Sequence, residues 1–371
     1  MLARPHIAIT GNTGKTTIKE LLALTLGQQM QVFKSFKNGN DPYFISKYSK
    51  QIKPEHEAVI LEFGLQKTND LKKCCDFFKA NIGIITNIGL SHYGNFSNIE
   101  QIAQGKSELI KGMDQNGILF INHDDENSKL LETKDFEGVI KTISLEDSKA
   151  DFYATDISSS PKGLSFRMSI NHVSHQFDLN ILGRHNAYNA LFVIAVCLHL
   201  GVKPETIKNG FSQFKPVQSR LNVLNRDDVC IIDDSFNAGP ESMISAIDVL
   251  ADIGSGLKLA ILGPMLCQGD KIICYKNVAK VMVEQQIDYI FTMNSEKHGS
   301  NARYYIDEAI KLGMDKKNTR HFDSINDLIM CLYSFKKYKV NMLFKGEDTY
   351  MPLNLLKRFW IEHHKRDLLH S

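Results

Sequence analysis

The sequence predicts an α/β protein: a larger domain built on a mostly parallel sheet, then a smaller Rossmann-like α/β domain. Three observations carry this expectation. A β-branched run, residues 7–10, breaks at Gly11 and Gly14 and passes into the helically spaced stretch 18–26. Short apolar runs and helical stretches then alternate as far as residue 122, as in a parallel sheet covered on both faces. The same alternation restarts after Phe214-Lys-Pro-Val217. A chain of 371 residues accommodates two such domains, read here as 1–214 and 215–371.

Composition narrows the function classes. The chain is 43% hydrophobic and 23% charged, which supports a large core. A net charge of +2 gives no basis for binding nucleic acid or an anionic membrane, and Lys336-Lys-Tyr-Lys339 reads as a solvated face. Seven cysteines without a CxxC spacing suggest reduced, mostly buried thiols and a cytoplasmic location. No signal peptide is expected, and no apolar run approaches the ~20 residues that span a bilayer. The first strand begins at residue 7, so a substrate-holding domain upstream of it is expected to be missing from this chain.

Taken in order, the first element already carries chemistry. Gly11-Asn-Thr-Gly-Lys-Thr-Thr17 joins a strand to a helix, the arrangement of a P-loop phosphate cradle. Its glycines let backbone N–H groups approach an anion. Lys15 would reach the β- and γ-phosphates, and the Thr16 hydroxyl would ligate Mg2+. Only the second half of the usual pattern is present, because position 9 is Ile rather than Gly. Residues 58–63 form a strand ending in Glu62-Phe-Gly64, and residues 82–88 form another. Ligands gather at the carboxyl ends of parallel strands, and Lys15, Glu62, Asn87 and His92 fall at or just past such ends. A buried strand-end carboxylate is costly without a cation, so Glu62 reads as a second Mg2+ ligand, with a salt-bridged structural role as the alternative. A helix over 97–112 and a strand over 117–122 follow. Three period-two runs within about 150–182 predict an antiparallel insertion at the sheet edge. Gly183-Arg-His-Asn186 opens an apolar helix over 187–200. In the second domain, strands are expected at 229–233, 257–262, 289–293 and 341–344, with a helix from Pro240 to about Ala251.

Seven segments resemble the Mur ligase family of ATP-dependent amide-bond-forming enzymes, in order and over nearly the whole chain. They are residues 9–17, Leu61-Glu-Phe-Gly64, Thr86 to His92, Gln104 to Ile110, Gly183 to Ala190, Ser219-Arg-Leu221 and Asp233 to Met243. The family has three domains, and the chain matches the central ATP-binding one and the C-terminal one. The resemblance implies that ATP activates a carboxylate as an acyl phosphate, which an amine then attacks. It implies ATP and two Mg2+ ions. Phosphate would be held by Lys15 with Gly11, Asn12, Thr13, Gly14, Thr16 and Thr17. His92 would serve the second ion. Lys106 would be carbamoylated by CO2 to a carboxylate-like ligand for it, unless it forms an ordinary helix-surface salt bridge with Glu100 or Glu108. Asn186 and Asn189 would hold the nucleotide, Asn186 with the alternative of capping its helix. Arg220 would reach phosphate or the acyl phosphate, and Asp234 the ribose hydroxyls. Asn237 and Ser242 would line the cleft, although Pro240 or Ser242 would equally start a helix.

Two segments depart from the family pattern. Gly263-Pro-Met-Leu-Cys-Gln-Gly269 replaces a loop that usually carries two acids, and Lys345-Gly-Glu-Asp348 puts acid where a basic residue is usual. The sequence therefore predicts a carboxylate–amine ligase acting on small-molecule substrates, with an amine that lacks a free carboxylate or carries positive charge. One alternative is a muropeptide D-alanyl-D-alanine-adding ligase whose N-terminal domain comes from a separate substrate-binding subunit. Another is an ATP-binding partner protein without catalysis.

Overall fold

A computed structural model describes residues 4–89, 95–160, 163–217, 220–265, 271–293, 302–335 and 337–346. The chain divides into two compact units, 1–216 and 217–371.

Unit one is organised by a nine-stranded sheet. Its strands are β1 (His6–Thr10), β2 (Val32–Lys34), β3 (Ala58–Glu62), β4 (Ile82–Ile85), β5 (Ile118–Asn122), β6 (Val139–Ser144), β7 (Phe152–Ser160), β8 (Gly163–Ile170) and β9 (Val173–Leu179). They lie in the order β2-β3-β1-β4-β5-β6-β7-β8-β9. From β2 to β7 every pairing is parallel, and β7-β8-β9 is an antiparallel ribbon. The helices are α1 (Lys15–Leu26), α2 (Pro42–Ser49), α3 (Asp70–Phe77), α4 (Ile99–Gly112), α5 (His185–His199) and α6 (Pro204–Gln213).

Strand alternation sends side chains to two cores. Ile7 and Ile9 of β1 join α1 and α5 on one face, and Ala8 joins α3 and α4 on the other. Burial on both faces explains why β3 reads AVILE without polar alternation. Helix α5 is buried from Asn186 to Cys197 except at Tyr188, so it needs no polar face. Each of its fully buried Leu, Ile and Phe side chains contributes about 1.5–3 kcal/mol by leaving water. The ribbon lays Leu164, Phe166, Met168, Phe177 and Leu179 onto the same core, against Phe211.

Unit two has a six-stranded sheet in the order β10-β11-β15-β12-β13-β14. Its strands are β10 (Asn222–Arg226), β11 (Val229–Asp233), β12 (Leu257–Leu262), β13 (Tyr289–Met293), β14 (Thr319–Phe322) and β15 (Val340–Lys345). Only β10 runs antiparallel to its neighbour. The helices α7 (Pro240–Asp252), α8 (Lys271–Glu284), α9 (Arg303–Lys311) and α10 (Ile325–Tyr333) complete it.

Strands β2, β6, β10 and β14 were not foreseen from sequence. Strands β2, β10 and β14 lie at sheet edges and β6 inside the sheet, and all are short runs of mixed polarity in which neither period stands out. Cys74, Cys75, Cys197, Cys230 and Cys331 are free thiols, but Cys274 is disulfide-bonded, against the expectation of reduced cysteines throughout. Tertiary proximity decides such a pairing, and sequence spacing does not show it. No helix among the described residues is long and apolar enough to cross a membrane.

Candidate active site

The site in unit one begins where β1 ends mid-sheet and the chain must turn at once into α1. Gly11 (φ +135°) and Gly14 (φ +84°) make that turn in backbone conformations that side chains disfavour. The turn is also too close-packed for anything larger. A Cβ on Gly11 would lie 1.9 Å from Thr86 Oγ1, and one on Gly14 would lie 2.3 Å from Asn189 Oδ1. Helix α1 starts immediately afterwards, with no acidic residue in its first turn. Its leading N–H groups lack intrahelical acceptors and carry partial positive charge. Lys15 folds over the turn, its Nζ donating to the carbonyls of Gly11 (2.8 Å) and Asn12 (3.1 Å).

Of the loop residues expected to offer N–H groups to phosphate, Asn12 and Thr13 are already engaged. Both donate to Asn87 Oδ1 at 3.0 Å. The stretch Gly14 to Thr17 at the helix start holds the remaining N–H groups of the cradle.

Glu62 ends β3 and is 2% exposed. Its Oε2 accepts from Thr16 Oγ1 (2.9 Å) and its Oε1 from Asn40 Nδ2 (2.9 Å). Lys19 Nζ, entirely buried, lies 3.9 Å from Oε2 and 3.1 Å from Glu20, and donates to the Lys37 carbonyl. Sequence reading missed Lys19 and Asn40. The i+4 spacing of Lys19 from Lys15 puts both on one helix face and was the available signal. Asn40 lies on a loop brought in by tertiary contact and had none. A hydroxyl and a carboxylate oxygen, side by side and buried, are the hard oxygen donors that Mg2+ takes. The residues thus fit that ion. Among the described residues no group of three His, Cys, Asp or Glu forms a fuller metal cage.

Lys106 on α4 is 2% exposed, so the helix-surface salt bridge considered for it is not formed. Glu108 instead accepts from the N–H groups of Asn69 and Lys72, at the start of α3. Burial holds the Lys106 ammonium well below its ordinary pKa. The charge of Lys15 pushes the same way, and Asp125 opposes. Burial in turn raises Asp125, against hydrogen bonds from the Ile88 N–H and the Ser128 hydroxyl. Asp125, just beyond β5, was also missed as a site residue.

Asn186 and Asn189 lie one turn apart on α5. Asn189 Nδ2 donates to Asn186 Oδ1 (2.7 Å), and Asn186 Nδ2 donates to the Leu182 carbonyl (2.7 Å). The helix cap is Arg184, so Asn186 is not the N-cap considered for it. Asn189 meets the glycine turn at Gly14. Lys15, Thr16, Glu62, Lys106 and Asn189 therefore gather around one loop.

In unit two, Arg220 lies over the Phe236 ring, 4.1 Å from its centroid. The next residue, Leu221, has φ +50° and donates its N–H to Asp234 Oδ1 (3.1 Å). Asp234 Oδ2 pairs with the buried Lys345, whose Nζ also donates to the Asn237 carbonyl (2.9 Å). Both carboxylate oxygens of Asp234 are thus engaged within this unit. Pro240 begins α7, and Ser242 Oγ accepts from the Gly239 N–H (3.0 Å), so these two start the helix. His92, Ser219, residues 266–270 of the departing loop, Glu347 and Asp348 lie outside the described residues.

A parallel sheet with a glycine turn, a lysine and a buried hydroxyl–carboxylate pair at its carboxyl end defines a P-loop nucleotide-handling protein. Residues 9–197 match the Mur ligase middle domain, and the chain belongs to the Mur ligase family, whose members are ATP-dependent amide-bond ligases. The chain is 29% identical over 332 residues to the UDP-N-acetylmuramoyl-tripeptide–D-alanyl-D-alanine ligase of Bacillus subtilis, covering 88% of this chain and 69% of that protein. It is 30% identical over 294 residues to the ligase of the same name from Buchnera aphidicola, covering 77% and 62%. Its fold is like that of the MurF ligase of Thermotoga maritima in complex with ADP, with a TM-score of 0.84 and 21% identity over 98% of this chain and 81% of that one. The chain spans 69% and 62% of the length of the two curated relatives.

Proposed function

We propose that this chain joins a carboxylate to an amine at the expense of ATP, through an acyl phosphate. One observation carries the reading: Lys15, Thr16, Glu62 and Lys106 meet at one buried end of a parallel sheet.

The roles follow from the groups. The α1 N-terminus and Lys15 hold the β- and γ-phosphates. Thr16 and Glu62 would hold Mg2+, which when bound neutralises charge on the transferring phosphoryl group. Asn186 and Asn189 line the nucleotide. Burial disfavours the Lys106 ammonium and so favours the lone pair that attack on CO2 needs; its carbamate would supply a second anionic oxygen donor, with His92 as its companion. In the reaction, a substrate carboxylate oxygen takes the γ-phosphoryl group and ADP departs. The amine nitrogen then attacks the acyl carbon, phosphate leaves, and the amine proton passes to solvent or a base. Positioning and charge neutralisation account for most of the acceleration.

The relatives' names give the first substrate pair to try, a UDP-N-acetylmuramoyl-tripeptide and D-alanyl-D-alanine. The sequence departures in unit two favour including uncharged and cationic amines beside it. The test follows ADP and phosphate with ATP, Mg2+, bicarbonate and such a panel. Release that requires both an acid and an amine supports the ligase. ATP binding with no turnover on any pair favours a non-catalytic nucleotide-binding partner.

A further inference from the structure

The phosphate cradle is gripped from one side by the end of β4. Asn87 Oδ1 accepts from the Asn12 and Thr13 N–H groups, both at 3.0 Å, and Asn87 Nδ2 donates to Thr13 Oγ1 at 2.8 Å. Thr86 Oγ1 donates to the Thr13 carbonyl at 2.6 Å, and the Asn12 N–H also reaches the Asn87 carbonyl at 3.0 Å. The gripping segment is itself clamped from behind. The Ile88 N–H donates to Asp125 Oδ2 (2.8 Å), and Asn127 Nδ2 donates to the Ile88 carbonyl (2.9 Å). A glycine-rich turn is entropically costly to order, and here β4 and β5 impose the order from outside.

We propose that Asn87 is a positioning residue for nucleotide binding: it pre-forms the cradle by holding the two N–H groups that the phosphates do not use. This rests on the reading that the loop takes a nucleotide polyphosphate. The residue type fits the task. An amide oxygen accepts two N–H groups while remaining neutral. A carboxylate in its place would accept the same two, and the Thr13 hydroxyl would rotate to donate to it, but its charge would repel an arriving polyphosphate. Alanine would take the side-chain acceptor from the Asn12 and Thr13 N–H groups and the donor from the Thr13 hydroxyl, leaving the loop held only by the Asn87 carbonyl and Thr86.

The experiment titrates MgADP calorimetrically into the full chain and into Asn87→Asp and Asn87→Ala, with thermal unfolding of each in parallel. Asn87→Asp keeps the hydrogen bonds and so keeps the parent's melting temperature within a few degrees. Its MgADP dissociation constant rises about tenfold or more, and the loss shrinks at high ionic strength, which a purely structural role would not produce. Asn87→Ala weakens MgADP by a similar factor without that salt dependence. Binding within twofold of the parent in Asn87→Asp overturns the assignment, whether or not Asn87→Ala folds. If the parent itself fails to bind MgADP, the nucleotide reading falls, and this assignment falls with it.

Discussion

Replacing Gly14 by alanine tests the cradle at its tightest point. At φ +84° an L-residue pays about 1–2 kcal/mol of backbone strain. The new Cβ would also sit 2.3 Å from Asn189 Oδ1 and 3.2 Å from its Cγ, so the Asn189 side chain must swing away. That movement breaks the 2.7 Å hydrogen bond from Asn189 Nδ2 to Asn186 Oδ1, inside a buried pair, at about 1–3 kcal/mol. Gly14→Ala should therefore lose about 2–5 kcal/mol of stability, a large part of the 5–15 kcal/mol typical of a domain. Gly201 is a matched control: φ is +75°, but nothing lies within 4 Å of its built Cβ. Gly201→Ala should show only the strain, about 1–2 kcal/mol. Urea unfolding of both variants, with MgADP titration of each, separates conformation from crowding. If Gly14→Ala is no less stable than Gly201→Ala and binds MgADP like the parent, the close approach of Asn189 to the loop is not real.

Three further outcomes are expected. Lys106→Met should abolish turnover yet unfold no more easily than the parent. The folded-state pKa of Lys106 lies well below its ordinary value, so between the two values the unfolded chain binds the extra proton and parent stability rises with pH. The variant's advantage is full below the folded-state pKa and fades as pH approaches about 10.4; bicarbonate-free denaturation curves across that range check it. Glu62→Gln keeps shape but loses the charge facing Thr16, so half-maximal Mg2+ for ADP binding should rise about tenfold or more; an unchanged Mg2+ titration would remove Glu62 from the metal site. Lys345→Met leaves the Asp234 carboxylate, with only 15% of its side chain exposed, without its ion-pair partner, and should destabilise unit two by about 3–5 kcal/mol in denaturant unfolding.

The parts of the site that were legible in sequence are those whose chemistry is local. Gly11, Gly14, Lys15 and Thr16 declare themselves within seven residues, because turn, charge and helix start must be contiguous. Glu62 was visible because a carboxylate at the end of an apolar strand demands a partner. Asn186 and Asn189 were visible as a helical pair, although the cap reading failed because Asn186 turns its amide back to the Leu182 carbonyl. Asn40, Asp125 and the grip of Asn87 were not legible, since each acts on a residue 22, 37 or 75 positions away, and Lys19 showed only its helical spacing from Lys15, its role resting on burial. The edge strands β2 and β14 were missed for a similar reason: pairing with a neighbour, rather than their own pattern, makes them strands.

Lys19 and Lys106 are sealed from solvent, and Lys15 adds its charge to Lys106 across the turn. The Lys15 charge, set beside the leading N–H groups of α1, makes the turn attractive to any polyanion and not to a nucleotide alone. Phosphate or sulfate in a storage buffer would therefore act as a weak occupant and not as an inert salt. A melting temperature recorded in such a buffer would describe the filled cradle, and only a non-coordinating buffer would report the stability of the protein by itself.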